Sequence, residues 1–232
     1  MWINDPRERL WRGILVVLGF LVVATSRDAN LFGLFPIATW CALARSWRTG
    51  IVVGAAILAL LVWFVVPRGL GWTGPWVPSA LEIYWVYSVM AAVLSVVGLA
   101  VERAARPAPT LVSGFSIAGY VVLGFAGAAF LGIMNSESKP RDEGVLPGPA
   151  ALQVVEGDAG CGSGHCWRTL DATGDRAPEV MRAHLASRGY VPRSEHWCRR
   201  IGLVVAHEVC ADLRKETPTS VHVIWYNNRN AE

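Results

Sequence analysis

LVSGFSIAGYVVLGFAGAAFLGIM, residues Leu111–Met134, is the stretch that decides how this chain is read. It carries no charge, and as a helix it would be roughly 36 Å long, enough to cross the hydrocarbon layer of a bilayer. Everything before it is mostly apolar. Everything after it is polar and holds all five histidines and four of the five cysteines. The chain therefore reads as a membrane part, one last crossing, and a small domain hung from that crossing.

Composition agrees. The 232 residues are 53% hydrophobic and only 17% charged, against about 25% charged in an ordinary soluble domain. Residues 1–134 hold nine Arg and five acids, while residues 135–232 hold twelve basic and thirteen acidic side chains. The tail is thus close to neutral. It lacks the basic stripe that phosphate neutralisation requires, which excludes nucleic acid as the expected partner. Ala/Arg/Gly/Val-rich usage with few Lys suggests a bacterial source of high GC content.

Working back towards the N-terminus, four further apolar runs precede the first quoted. The expected spans are residues 11–26, 31–44, 51–66, 83–101 and 111–134. Arg7, Arg9 and Arg12 with Trp2 and Trp11 form a headgroup-level lead-in; a cleaved signal peptide is the alternative, although ATS before Arg27 is a poor cleavage site. Run 31–44 is short and contains Pro36, so a re-entrant segment competes with a full crossing. The loop from Arg68 to Pro78 is rich in Gly, Pro and Trp and belongs at an interface. Pro107 and Pro109 stop the fourth helix.

Five crossings put Arg7, Arg9, Arg12, Arg45, Arg48, Arg103 and Arg106 on one side and only Arg27 and Arg68 on the other. By the positive-inside rule the N-terminus is cytoplasmic and the tail extracytoplasmic, in a multi-pass bacterial cell-membrane protein. Losing run 31–44 alone would spoil this bias, which is the main reason to count it. Trp47, Trp72, Trp76 and Trp85 also fall near span ends, where an amphipathic ring is comfortable.

Past Arg12, at the cytoplasmic edge of the first, none of the five runs contains Asp, Glu, Lys, Arg or His. Ion and proton pathways need ionisable groups at depth, and haem between helices needs His, so a pump or cytochrome is disfavoured for this chain alone. Gly124, Ala128 and Gly132 recur at helix-contact spacing on the last run, as do Ser88/Ala92 and Ala91/Ser95 on the fourth, a pattern suited to close helix packing.

Residues 135–150 read as a linker, 151–228 as an extracytoplasmic α+β domain and 229–232 as a tail. Periodicity suggests strands near Leu152–Glu156, Cys166–Asp171, Glu195–Arg199, Val205–Leu213 and Ser220–Tyr226. Pro178–Arg188 reads as a helix, with Gly189 as its stop. The order ββαβββ implies an antiparallel sheet with one helix across it. So small a domain needs staples, and Cys161, Cys166, Cys198 and Cys210 can supply two disulfides. Three pairings exist. Cys161–Cys166 with Cys198–Cys210 is favoured, because each closes a loop between neighbouring elements. Cys41 reads as a small apolar filler.

Motifs for chemistry are incomplete. The tail's Cys and His residues are zinc-ligand types, but their spacings, CGSGHC, HWC and HEVC, are not those of structural zinc sites. His207-Glu208-Val209-Cys210-Ala211 puts Ala where a metalloprotease needs its second His. The loop around Ser163 opens a strand, not a phosphate-binding helix, and lacks the glycines of a nucleophile elbow. No metal or cofactor is expected. The reading is a non-enzymatic membrane protein displaying a disulfide-stapled domain for protein interaction or sensing, with lipid and a membrane or extracytoplasmic protein as partners. The alternatives are an accessory subunit of a membrane transport or respiratory complex and, more weakly, a thiol–disulfide oxidoreductase using Cys161 and Cys166.

Overall fold

A computed structural model describes residues 6–24, 31–105, 111–136, 138–162 and 165–228. Trp2, the turn at 27–30, Arg106 with Pro107 and Pro109, Ser163 and the tail 229–232 lie outside the described residues. The chain divides into two compact units. One is Met1–Leu70 with Ala80–Phe130; the other is Gly71–Ser79 with Leu131–Glu232.

The first unit is helical: α1 (Pro6–Ala24), a 3-10 turn (Leu31–Gly33) leading into α2 (Leu34–Leu43), α3 (Trp47–Gly69), α4 (Glu82–Ala105) and α5 (Leu111–Ser136), whose last turns pass into the other unit. Three of these, α3, α4 and α5, are long and apolar enough to cross a membrane. Helix α1 carries Arg7, Glu8, Arg9 and Arg12 in its first two turns. Helix α2, at 10 residues, is only about 15 Å long.

Contacts fix the helix directions. Arg12 Nη2 donates to the Ala44 carbonyl at 3.0 Å, while Gly19 faces Leu34 and Ile37, so α2 runs back along α1. Trp11 lies over Gly50 and Leu15 over Gly54, making α1 and α3 parallel. Phe64 meets Tyr87 with ring centroids 5.8 Å apart, whereas Gly98 faces Val53, making α3 and α4 antiparallel. Gly127 lies on the Tyr84 ring and Val121 beside Val93 and Val97, so α5 reverses again. The five helices alternate in direction, and short α2 achieves its reversal alongside residues 12–23 of α1.

The Glu102 carboxylate accepts the backbone N–H of Arg45 at 3.1 Å and of Ser46 at 3.0 Å. It thereby pairs two backbone donors just before α3 and places a negative charge near that helix's positive end. Arg12, Arg45 and Glu102 thus gather at one end of the bundle. In the core, Trp40 is fully buried; its indole N–H donates to the Gly50 carbonyl at 2.9 Å, and Gly98 leaves room for its ring. Ser88 and Ser95 return their hydroxyls to the carbonyls of Tyr84 and Ala91 in their own helix, so both present a compact surface to neighbours.

The second unit contains β1 (Gln153–Gly162), β2 (His165–Thr173), α6 (Ala177–Ser187), β3 (Val191–Arg193), β4 (His196–Ile201), β5 (His207–Thr217) and β6 (Ser220–Asn228). The six strands form one antiparallel sheet in the order β1-β2-β6-β5-β4-β3. This corrects the expected ββαβββ order to ββαββββ. The extra strand is β3, which three exposed residues and a proline hid from periodicity; Pro192 is tolerated there because β3 is an edge. Alternation puts Leu170, Ala172, Val209, Ala211, Val221, Val223 and Trp225 on one face, where they bury against Ala177, Met181 and Leu185 of α6.

Two segments outside the expected domain pack into this unit. Segment 138–152, read as linker over most of its length, is a strap. Val145 is fully buried, the Trp225 indole N–H donates to the Arg141 carbonyl at 2.9 Å, and the Tyr190 hydroxyl to that of Glu143 at 3.0 Å. Arg168 binds Asp142 at 2.8 Å and also Glu156, with its guanidinium over the Trp225 ring. The loop Gly71–Ser79 is the second. Gly74 N–H donates to the Arg200 carbonyl at 3.1 Å and Gly202 N–H to that of Val77 at 2.8 Å. Gly189, at φ +83°, lies so close to Thr73 that no side chain would fit.

Candidate functional site

Because β-strand side chains alternate, the residues between the core positions face away from α6. Register places Trp167 opposite Tyr226, Asp171 opposite His222, Asp212 opposite Ile224, and Arg214 opposite His222. This outer face is polar and aromatic, and its centre is Asp212. The Asp212 carboxylate is buried. It meets His196 Nδ1 at 2.5 Å, accepts from Arg214 Nη2 at 3.1 Å and from the Tyr226 hydroxyl at 3.4 Å. Trp167 and Ile224 complete a shallow hollow around it. Burial, then the charge of and the hydrogen bond to Asp212, raise the Tyr226 phenol above its ordinary pKa.

Similar pairs flank the hollow. His222 Nδ1 meets Asp171 at 2.7 Å. Buried Glu208 accepts from Arg193 at 2.8 Å and from the Asn228 amide at 2.7 Å. On the opposite face Glu143 pairs with Arg199 at 2.7 Å, and His207 lies 3.9 Å away. Burial works to raise the Glu143 carboxyl pKa, but hydrogen bonds and charge from His207 and Arg199 outweigh it and hold the group below its usual range.

With Nδ1 on Asp212, the imidazole of His196 points Nε2 away from its carboxylate, an orientation shared by general bases and metal ligands. A base also requires a nucleophile in reach. Among the described residues, the hydrogen-bond partner shown for His196 is Asp212, and no hydroxyl or thiol is shown bonded to it. The hollow gathers an imidazole, a guanidinium and two aromatic rings, and the Asp212 carboxylate bonds the imidazole, the guanidinium and the Tyr226 phenol.

The cysteines lie as cross-strand pairs. Cys161 on β1 is registered opposite Cys166 on β2, and Cys198 on β4 opposite Cys210 on β5. Their sulfurs are at disulfide distance, 2.12 and 2.08 Å. Cys198, Glu208 and Cys210 also form a cluster of metal-ligand types, but sulfurs bonded to each other are not thiolates and do not suit a cation. Neither Cys161 nor Cys166 opens a helix, the setting that lowers a thiol pKa in exchange enzymes. His207-Glu208-Val209-Cys210-Ala211 lies on β5, so its His and Glu project from opposite faces.

On α5 the three small residues differ. Gly124 abuts the Tyr84 carbonyl, so closely that a Cβ there would overlap it. Ala128 is half-buried. Gly132 has nothing within 4 Å of where its Cβ would be. Sequence reasoning passed over Asp212, Arg214 and Tyr226. The signal was there, in the polar members of the same alternation whose apolar members marked the core of β5 and β6.

Comparison with protein-family models, curated proteins and solved structures finds no match.

Proposed function

We propose that this chain is a multi-pass bacterial cell-membrane protein whose N-terminus is cytoplasmic and whose sheet domain is held outside, two disulfides stapling it. Its outer sheet face serves as a protein-interaction or sensing surface, not as a catalytic site. The observation that carries this reading is the hollow around Asp212: its charges are oriented by one buried carboxylate, Trp167 is exposed at its rim, and among the described residues no hydroxyl or thiol is shown bonded to the imidazole. The alternating helices support the topology, since they set Arg12 and Arg45 at the bundle end opposite Arg68, which lies in the last turn of α3.

The test is purification of the full chain from its native membrane in mild detergent, beside a Trp167→Ala/Arg214→Ala variant. An extracytoplasmic protein should accompany the wild type and be lost from the variant. A turnover reaction abolished by His196→Ala would overturn the non-catalytic reading.

The accessory-subunit reading is favoured by one feature of α5. It leaves Phe115, Val122, Phe130 and Ile133 each more than 60% exposed, while Gly124 and Gly127 seat it against Tyr84 of α4. That reading expects stoichiometric membrane partners that survive the outer-face substitutions.

A further inference from the structure

Turns between strands are ordinarily polar, because their tips face water. The β4–β5 turn is not: Leu203, Val204 and Val205 follow one another there, 37%, 65% and 47% exposed. Among the described residues elsewhere in the sheet, the large exposed apolar side chains Val155, Trp167 and Val191 stand singly. Three in succession at a hairpin tip form a patch of the kind that marks an interaction surface.

The patch has a fixed neighbour. The hydrogen bonds from Gly202 to Val77 and from Gly74 to Arg200 tie the base of this hairpin to the 71–79 loop. That loop contributes two further exposed aromatics, Trp72 and Trp76, half-exposed with ring centroids 5.4 Å apart. The loop leaves α3 at Gly69 and enters α4 at Glu82, both membrane-capable helices. Gly74 lies five residues from one helix end and Val77 five from the other, a reach of at most about 18 Å even when fully extended.

We infer that Leu203–Val205 together with Trp72 and Trp76 form a lipid-docking surface that sits in the interfacial layer of the outer leaflet. The inference rests on the membrane-crossing reading above. Tryptophan is the residue most at home at the headgroup level, and short apolar tips beside it can enter the acyl boundary. A soluble protein would have to reach a patch that the chain itself tethers to the bilayer. Docked this way, the hairpin fixes the domain by a point additional to its covalent connections.

The experiment reads lipid exposure directly. The full chain with Cys41→Ala is reconstituted into phosphatidylcholine/phosphatidylglycerol vesicles and spin-labelled singly at Val204→Cys, Val97→Cys or Glu195→Cys. Collisions with oxygen, which concentrates in lipid, are compared with collisions with a water-soluble nickel chelate. Labels at 204 and 97 should favour oxygen severalfold, and the label at 195 should favour nickel. Nickel preference at 204 with oxygen preference at 97 overturns the docking surface and leaves the membrane reading standing. Nickel preference at 97 overturns both. A label at 204 shielded from both probes means burial against protein and also overturns docking. A photo-crosslinking residue at 204, which adds no thiol beside the tail cysteines, should yield an adduct of lipid mass; an adduct to a second chain, or none, counts against it.

Discussion

The two units invert each other's polarity. In the helical unit the exposed residues include Val93, Val96, Val97, Phe115 and Val122, while Ser88, Ser95 and Glu82 are buried. In the sheet unit Trp225, Met181 and Leu185 are buried, and His196, Arg214 and Arg193 line the surface. Soluble domains do expose isolated apolar side chains. A whole helix face of valine and phenylalanine is different, and it is the surface that a hydrocarbon solvent selects. Both units keep an apolar core, but glycines at positions such as Gly50, Gly98 and Gly124 bring the helices close together, as suits packing where lipid gives no hydrophobic drive.

Several changes would break or sharpen that contrast. The largest effect belongs to Trp225→Ala. It deletes a fully buried ring that also anchors the 138–152 strap and carries Arg168, so the sheet unit should lose about 3–5 kcal/mol. Chemical denaturation of the full chain in detergent, followed by protease resistance of the tail, should show this while helical circular dichroism persists. Simultaneous loss of both signals would mean that the units do not fold on separate terms.

Reduction of the protein should come next. Opening loops with sequence separations of 5 and 12 should cost the sheet unit about 2–3 kcal/mol each and the helical unit nothing. A denaturation midpoint indifferent to reductant would contradict this.

Gly124→Leu places a side chain against the Tyr84 carbonyl and should cost the helix bundle about 1–3 kcal/mol, read as a lower melting temperature in detergent. Gly132→Leu, with open space around it, should leave that temperature unchanged. Equal effects at the two sites would undo the assignment of α5's contact to one end of its small-residue series.

The smallest effect is acid sensitivity confined to the sheet unit. Glu143 has a folded pKa below its ordinary one, so its contribution is present above the usual carboxyl range and is lost as pH falls through the folded value. His184 behaves in the same direction: burial and then the charge of Arg188 lower its pKa, so acidification works against its folded, neutral state. Glu143→Gln should therefore flatten the acid limb of a stability–pH curve. An unchanged limb would place the sensitivity elsewhere.

What could be read from the chain alone follows the same divide. Charge-free runs and arginine spacing carry the helices, because in such a segment composition itself records the solvent. Core positions of β6 were legible from Val221, Val223 and Trp225, since period-two alternation is a local property. The strap was not legible: Glu143 and Val145 sit in a Pro/Gly-rich stretch whose pairing with Arg199 and with the core is tertiary. Nor was the attachment of loop 71–79, which depends on backbone hydrogen bonds that any sequence can make. The Asp212 hollow lay between these cases, since alternation marks its residues but only register brings His196, Asp212 and Tyr226 together.

The central claim is that five alternating helices carry the sheet unit to the outer side of the membrane. Paired fusions after Glu232 in bacterial cells test it most directly, one with an alkaline phosphatase that folds only in an oxidising compartment, one with a fluorescent protein that matures only in the cytosol. Strong phosphatase activity with a dark fluorescent fusion is the predicted result. A bright fluorescent fusion with inactive phosphatase would put the domain in the cytosol and contradict the account.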